Sequence, residues 1–316
     1  MSDPRLNPEV PAHQPVADTP IGLVGLDGLD ASLTDVGPSR SLFEDAWRRF
    51  RRNKLAMFGL FLVAFLVLVA IVGPFVVQSP TKLSKTVILE PPTNQHLFGV
   101  DNKGADIFAR VVHGIRLSLF IGIMATLLET FIGIAVGALA GWYGKWVDSI
   151  SMRFVDIMLG IPYIILAYAF ITVLGKGVPA VILSLAFVAW LQTARTVRAG
   201  FIQVKELEYI EAARALGVSG WRIMVRHILP NVLQPVVVLM AVGVGGAILS
   251  EAALSFLGVG VKPPNPSLGL MVSDAQSFLT SAPYMFLFPG LAIVLTVLGF
   301  LLVGDGLRDA LDVKDN

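Results

Sequence analysis

Long apolar runs separated by short polar segments dominate this chain. A membrane-spanning helix needs about 20 predominantly apolar residues. Six windows qualify, and the fourth is short and has Gln192 near its end. The windows are residues 55–77, 116–142, 152–175, 178–194, 231–257 and 285–304. The pattern therefore predicts an all-α membrane protein with six transmembrane helices.

The composition agrees with this pattern and excludes several other classes of protein. Hydrophobic residues make up 55% of the 316 residues, charged residues make up 15%, and the mean hydropathy is +0.73. A soluble domain has about 25% charged residues, so a soluble globule of this composition would lack the polar side chains to cover its surface. The chain has 24 basic and 23 acidic residues, so it lacks the net positive charge that would indicate binding to nucleic acid. The absence of cysteine excludes disulfides and thiolate metal sites.

Two segments precede the first window. Residues 1–40 are rich in proline, contain scattered acidic residues and are typical of a disordered tail. Residues 41–54 form a basic amphipathic stretch, whose apolar face contains Phe43, Trp47 and Phe50. Basic helices with such a face lie in the membrane interface. The sequence therefore predicts an elbow helix that leads into the first span.

Lysine and arginine are distributed unevenly between the two sides of the predicted bundle. If the chain begins on the inside, 17 of its 24 basic residues fall on that side, six of them between the fourth and fifth windows. The positive-inside rule then places the 195–230 loop and both termini, including residues 305–316, in the cytoplasm. Residues 78–115 and 258–284 form the longest external segments.

Residues 206–230, here called the coupling loop, have the features of two helices joined by a turn. Residues 206–216 are helix-forming, Gly217 is a C-terminal stop, and Ser219 stands at the N-cap position of a second helix. The second helix has an apolar face with the spacing i, i+3, i+4 and i+7, formed by Trp221, Met224, Val225 and Ile228. These features alone are equally consistent with an unpartnered hairpin at the membrane surface and with a docking site for another protein.

The coupling loop also contains a spaced motif. Glu211-Ala212-Ala213 is followed after three residues by Gly217, and after nine more by His227-Ile228-Leu229-Pro230. This arrangement resembles the EAA loop of ATP-binding-cassette (ABC) importer permeases. In that family the loop forms the coupling helix that docks on a cytoplasmic ATPase. The resemblance therefore implies that seven residues couple to the ATPase: Glu211, Ala212, Ala213, Arg214, Gly217, Leu229 and Pro230.

Three further segments indicate which kind of permease subunit the chain resembles. Residues 96–118, 256–269 and 304–312 are similar to segments of the C-type permease subunit of oligopeptide, dipeptide and nickel importers. The resemblance extends from about residue 41 to residue 312. It implies a type I ABC importer transmembrane domain, with a five-helix permease core at residues 116–304. Ala105, Val100 and Leu268 depart from the residues usual in the family, all on the external side. The implied contacts with a binding protein are Asp101, Asp106 and Arg110.

The resemblance also implies an assembly in the plasma membrane of a prokaryote. The expected partners are a homologous permease chain, two ABC ATPase domains and an extracytoplasmic peptide-binding protein. The chain lacks a phosphate-binding Gly-x-x-x-x-Gly-Lys-Ser/Thr motif. We therefore expect no enzyme activity and no cofactor in this chain, with ATP and Mg bound by the partner subunits. The expected substrates are oligopeptides or dipeptides.

Two alternatives to a peptide importer remain open. One is a permease for nickel or another small solute in the same family. The other is a self-contained secondary transporter, which would have internal repeats and paired intramembrane charges. The two halves of the chain lack obvious self-similarity, and that transporter would leave the Glu211 motif without a role.

Two carboxylates fall well inside predicted spans, whereas Asp156 lies near the inner end of the third span. Glu129 lies at the centre of the second span, and Glu251 lies in the outer half of the fifth, directly after Ser250. Ionisable residues inside a membrane are costly and mark candidate functional sites. Glu129, Ser250 and Glu251 are therefore candidates for the translocation pathway, where a carboxylate would attract a peptide ammonium group. A structural carboxyl group, protonated or hydrogen-bonded, is the alternative.

Glycines recur in two of the spans. Gly133, Gly137 and Gly141 form a stripe of small residues on the second span, which predicts close packing with another helix, either static or moving. A cluster in the fifth span suggests a loosely wound segment that lines the pathway; its members are Gly243, Gly245 and Gly246.

Overall fold

A computed structural model describes residues 42–84 and 87–312, and the proline-rich tail of residues 1–40 lies outside this part of the chain. The first six helices are α1 (Leu42–Arg52), α2 (Lys54–Val76), α3 (Ile107–Tyr143), α4 (Lys145–Leu159), α5 (Tyr163–Leu174) and α6 (Val178–Lys205). The remaining helices are α7 (Glu208–Ala215), α8 (Gly220–Ile223), α9 (Leu229–Phe256), α10 (Leu268–Ala275) and α11 (Tyr284–Leu311). A π-turn at Met224–Ile228 joins α8 to α9, and a 3₁₀ turn at Gln276–Phe278 follows α10.

Five helical runs in the described residues are long and apolar enough to cross a membrane. They are α2, α3, α6, the run from α8 to α9, and α11. Together α4 and α5 also qualify, but they are bent by 97° at their junction. The third predicted span, residues 152–175, is therefore not one straight helix. The break falls at Gly160-Ile161-Pro162, and proline disfavours a helical conformation in the residue before it.

The ends of three other helices differ from the predicted span limits. α11 continues to Leu311 rather than ending at residue 304. α3 begins at Ile107 rather than at residue 116, because Asp106 caps it by accepting a hydrogen bond from the Ala109 amide at 2.8 Å. α6 continues to Lys205 rather than ending at residue 194. Apolar runs mark the part of a helix that needs lipid, whereas polar side chains can extend the helix beyond it.

The central helix of the bundle is α3, which packs along α6 and α9. Its stripe of glycines faces α6: a Cβ atom on Gly137 would lie 2.5 Å from the carbonyl oxygen of Ala194. The close helix packing predicted from this stripe is therefore confirmed. Large apolar side chains on α2 point away from the protein, as expected for a lipid-facing helix, and Phe75 is 84% exposed.

The glycine cluster of the fifth span does not loosen the helix. α9 is continuous from Leu229 to Phe256, so the predicted loosely wound segment is wrong. Two of these glycines instead allow close approach by neighbouring helices. A Cβ atom on Gly243 would meet Glu129 of α3, and one on Gly245 would lie 3.3 Å from the Val297 carbonyl oxygen of α11.

α1 and the start of α2 pack against the end of α11. Phe50 of α1 is buried against Ala56 and Ala310. Asn53 separates α1 from α2 and caps α2 by accepting hydrogen bonds from its first amides. The Asn53 side-chain amide also donates to Asp309 at 3.2 Å. The two ends of the described chain therefore meet on one side of the bundle.

Candidate coupling loop and transport pathway

The coupling loop is anchored to the bundle through α7. Ile210 is fully buried and belongs to one apolar cluster with Phe201, Ile223 and Ile228. Phe201 lies on α6, and Ile228 ends the π-turn before α9. Since Ile210 shares this cluster with residues of α6 and α8, α7 is held against the two helices that flank it in the chain.

A Schellman motif ends α7. The Val218 amide donates to the Ala213 carbonyl at 3.1 Å, and the Gly217 amide donates to the Arg214 carbonyl at 2.9 Å. Gly217 has a φ of +76°, in the left-handed region that glycine adopts without a steric penalty. Gly217 therefore provides the stop predicted for it and turns the chain towards α8.

The outward surface of the loop carries small, charged and apolar side chains. Glu211, Ala212 and Arg214 are exposed, and Ala213 is half-buried. Two large apolar residues in the same loop point away from the bundle: Leu216 is 85% exposed and Trp221 is 71% exposed. This combination of a small-residue helix face with exposed apolar groups is suited to contact with another protein.

The second helix of the loop differs from its predicted form. Ser219 stands at the N-cap position, but its side chain makes no capping hydrogen bond. Met224 and Ile228 are buried as predicted, whereas Trp221 and Val225 are exposed. Trp221 precedes the π-turn, and Ile223 of α8 is fully buried in place of the two exposed residues. Leu229 is half-buried and Pro230 exposed in the first turn of α9, so the loop runs into α9 without a break.

Trp142, in the last turn of α3, contacts the coupling loop. The Arg214 guanidinium carbon lies 5.3 Å from the centre of the Trp142 ring, and Lys205 Nζ lies 5.6 Å from it. Lys205 also donates to the Trp142 carbonyl oxygen at 2.6 Å. Gly220 packs on the ring edge, where a Cβ atom would lie 2.9 Å from Cζ2. The loop therefore touches α3 as well as α6 and α9.

Glu129 and Ser250, two of the predicted pathway residues, lie near each other in the bundle. Glu129 is 7% exposed and lies beside Thr126 of its own helix and Gly243 of α9. Tyr163, the first residue of α5, is in hydrogen-bonding contact with Ser250 and within electrostatic range of Glu129. The break between α4 and α5 thus brings a tyrosine hydroxyl to these two residues. We call Glu129, Thr126, Tyr163 and Ser250 the midspan polar cluster.

Glu251, the third predicted pathway residue, is enclosed elsewhere. Its side chain is fully buried and accepts hydrogen bonds from three serine hydroxyls on different elements. The donors are Ser118 of α3 at 3.0 Å, Ser255 of α9 at 2.7 Å and Ser267 before α10 at 2.9 Å. Both carboxylate oxygens are occupied, so this site favours a structural role for Glu251 over a place on the pathway.

The external residues implied as binding-protein contacts are engaged inside their own segment. Asp101 is 3% exposed, accepts from two backbone amides of its loop at 2.8 Å, and forms an ion pair with Arg110. Asp106 is 9% exposed, caps α3 and lies 2.7 Å from His96 Nδ1. The polar atoms of these three side chains hold the segment before α3 in its fold, and their contact with a binding protein stays a prediction.

Comparison with known proteins identifies the family. Residues 133–314 match the binding-protein-dependent transport system inner membrane component, and residues 41–92 match the N-terminal transmembrane domain of oligopeptide transport permease C. The chain belongs to the first of these families. It is 40% identical to a dipeptide transport permease of Bacillus subtilis over 88% of this chain and 87% of that one. It is 42% identical to a glutathione transport permease of Escherichia coli over 87% of this chain and 91% of that one.

A solved structure supports the fold of this permease. The chain is similar to a chain of the inward-facing MetNI methionine ABC transporter, with a TM-score of 0.52 and 22% identity over 65% of this chain and 97% of that one. The sequence-based identification of an ABC importer permease and of its all-α membrane fold is therefore confirmed.

Some residues of the permease site were not found from its sequence. Trp142 ends an apolar run, and nothing in its position along the chain indicates that two cations of a later loop contact its ring. Pro162 indicates that the helix breaks before Tyr163, but it does not indicate the direction in which the chain continues after the break. The serines around Glu251 are separated from it by 133, 4 and 16 positions, so only the nearest could have been paired with it by helical spacing.

Proposed function

We propose that this permease is one of two homologous membrane subunits of an ATP-driven importer of dipeptides or oligopeptides. Relatives about 40% identical over most of the chain carry the names of dipeptide, oligopeptide and glutathione transport permeases. Glutathione is itself a small peptide, so the three names share one chemical class. The other partners in this proposal are two ABC ATPase domains, which hold ATP and Mg, and an extracytoplasmic peptide-binding protein.

The outward surface of the coupling loop is the observation that carries this proposal. A protein that binds an ATPase needs a rigid projection whose side chains are free. α7 is rigid because Ile210 is buried and the Schellman motif fixes its end. Glu211, Ala212 and Arg214 are exposed on the same short helix. The lysine and arginine residues between positions 195 and 230 support a cytoplasmic location for the loop. Both termini lie on the same side of the membrane in this proposal.

Transport then follows from the attachment of the loop to the bundle. When ATP closes the partner ATPases, α7 is displaced with the ATPase surface on which it docks. The buried Ile210 passes that displacement to the π-turn and to α9, which carries Gly243 and Ser250. Movement of α9 against α3 changes the surroundings of Glu129 and switches the side from which the midspan polar cluster is reached.

The midspan polar cluster supports a peptide substrate. Glu129 is buried and lacks a hydrogen bond or ion pair with any of the residues in 42–84 and 87–312, so a ligand that reached its carboxyl group would be a polar partner that the group does not have within this part of the chain. A peptide ammonium group is a cation that could pair with it, and the Tyr163 and Ser250 hydroxyls lie nearby to bind carbonyl or amide groups. Selection among peptides is left to the binding protein in this proposal.

Reconstitution of the complete transporter tests the function. The complex is purified from its native membrane through a tag on this chain, and its components are identified by mass spectrometry. In liposomes, uptake of labelled dipeptide and pentapeptide is then measured with and without ATP and the binding protein. ATP-dependent peptide uptake is expected. Uptake driven by an ion gradient without an ATPase would contradict the proposal. Uptake of nickel but not of peptide would show that the substrate is a metal ion rather than a peptide.

A further inference from the structure

Two cations lie over the Trp142 ring at the end of α3, one from the coupling loop and one from the end of α6. Arg214 of α7 and Lys205 of α6 both lie within 5.6 Å of the centre of the Trp142 ring. A cation over an aromatic ring is attracted by the negative charge of its face, most strongly for tryptophan. The C-terminal end of a helix also carries partial negative charge, and Lys205 donates to the Trp142 carbonyl there.

We propose that Trp142 is a positioning residue that transmits motion of the coupling loop to α3. This inference rests on the coupling function proposed for the loop. It adds a second route, because Ile210 links the loop to α6 and to the π-turn that leads into α9, whereas Trp142 links it to a helix that is distant in sequence. Gly220, at the start of α8, packs on the edge of the same ring, so both helices of the loop touch Trp142.

The geometry of α3 suits it to this role. The helix has 37 residues, and at 1.5 Å per residue it is a rod of about 55 Å. The same rise places Glu129 about 20 Å from Trp142 along the helix axis. Between them the glycine stripe packs closely on α6, where a Cβ atom on Gly137 would clash with the Ala194 carbonyl. A push on Trp142 is therefore carried along a supported helix.

The two routes from the loop converge in the membrane. One runs through the π-turn along α9 to Gly243, and the other runs through Trp142 along α3 to Glu129. Gly243 and Glu129 touch, since a Cβ atom on Gly243 would lie 2.9 Å from Glu129 Oε1. Simultaneous displacement of both helices shifts this contact from both sides, whereas loss of the Trp142 route moves α9 alone. Uncoupling is then expected without loss of ATPase docking.

The amount of ATP hydrolysed per peptide imported is the decisive measurement. The whole transporter with its partner chains is reconstituted in vesicles of phosphatidylethanolamine and phosphatidylglycerol. Trp142→Leu keeps an apolar side chain but removes the aromatic face, while Trp142→Phe keeps an aromatic face. We expect Trp142→Leu to raise the ratio about two- to fivefold, the scale of one exposed cation–π contact. Trp142→Phe is expected to stay near the wild-type ratio, and ATPase co-purification should be unchanged in both.

Controls separate this inference from the function on which it rests. Trp146→Leu alters a tryptophan on α4 that is 81% exposed, and it should keep the wild-type ratio. Gly217→Val alters the loop itself and should uncouple the transporter. If Gly217→Val uncouples while Trp142→Leu does not, the Trp142 route is wrong and the coupling loop stands. If neither uncouples, the coupling function itself fails.

Two further outcomes overturn the Trp142 route. An equal rise in Trp142→Phe and Trp142→Leu would show that the aromatic face is irrelevant, and a rise in Trp146→Leu would show a general effect of losing a tryptophan. Should Trp142→Leu fail to assemble, Arg214→Gln removes the coupling-loop cation over the ring. A raised ratio with unchanged ATPase co-purification is expected from Arg214→Gln, and a wild-type ratio there overturns the route.

Discussion

Glu129 of α3 packs directly on the backbone of α9 at Gly243, where a Cβ atom would lie 2.9 Å from its Oε1 atom. The carboxyl group in the middle of this membrane-spanning helix thus occupies space beside a residue that has no side chain. The same contact marks the place where α3, α9 and the start of α5 approach one another. Its two residues can be altered independently, which makes it accessible to experiment.

Substitution of Gly243 should destabilise the permease through Glu129. In Gly243→Ala the new methyl group would lie 2.9 Å from Glu129 Oε1 and 3.2 Å from Thr126 Cγ2. Because Oε1 ends a flexible side chain that can shift, we expect a cost near the lower end of the ~1–3 kcal/mol typical of overpacking. We expect a lower melting temperature of the detergent-solubilised protein, measured by loss of the monodisperse peak after heating. Gly246→Ala is the matched control, because a Cβ atom at Gly246 has no atom within 4 Å. Addition of Glu129→Ala should restore the melting temperature of Gly243→Ala, and equal melting of the two glycine variants would contradict this account.

Substitution of the Glu129 carboxyl group should reduce peptide uptake without loss of assembly. Glu129→Gln keeps the shape of the side chain but removes its attraction for an ammonium group. An interaction with a charged group contributes about 1.5–3 kcal/mol, so we expect peptide uptake at low peptide concentration to fall about tenfold or more. Uptake is measured with the reconstituted transporter at several peptide concentrations.

An N-acetylated peptide, which lacks the ammonium group, tests the cause of that effect. Glu129→Gln and the wild type should import the acetylated peptide at similar rates, after correction for its affinity for the binding protein. Unchanged uptake of the free peptide by Glu129→Gln would remove Glu129 from the pathway.

Features that follow from local chemistry could be predicted from the sequence, whereas those that depend on helix register could not. The apolar runs and the left-handed stop at Gly217 need only the residues themselves and their neighbours. The partner of Glu129 depends on how α3 and α9 align, and no pattern along either helix contains that alignment. The family resemblance, rather than any local pattern, implied that Asp101 and Asp106 contact a binding protein. In the structure the amides of their own segment, Arg110 and His96 provide their hydrogen-bonding partners.

The site around Glu251 should determine stability rather than transport. Glu251→Ala would leave the hydroxyls of Ser118, Ser255 and Ser267 without their acceptor in a buried site. Each unsatisfied buried polar group costs about 1–3 kcal/mol, so a large fall in melting temperature is expected. Ser250→Ala, at the neighbouring position, should lower the melting temperature much less. If Glu251→Ala were as stable as the wild type and failed only in uptake, a pathway role would replace the structural one.

Gly217 should determine whether the coupling loop transmits force. A side chain at its φ of +76° is strained, and the left-handed conformation costs an ordinary residue about 1–2 kcal/mol. Valine, which is branched at Cβ, should unwind the Schellman motif and release the end of α7. Gly217→Val is therefore expected to lower peptide uptake several-fold at a given rate of ATP hydrolysis. Asparagine tolerates the left-handed region, so Gly217→Asn should retain most of the coupling. Equal loss in both variants would mean that the small size of Gly217, and not its backbone conformation, is what the ATPase requires.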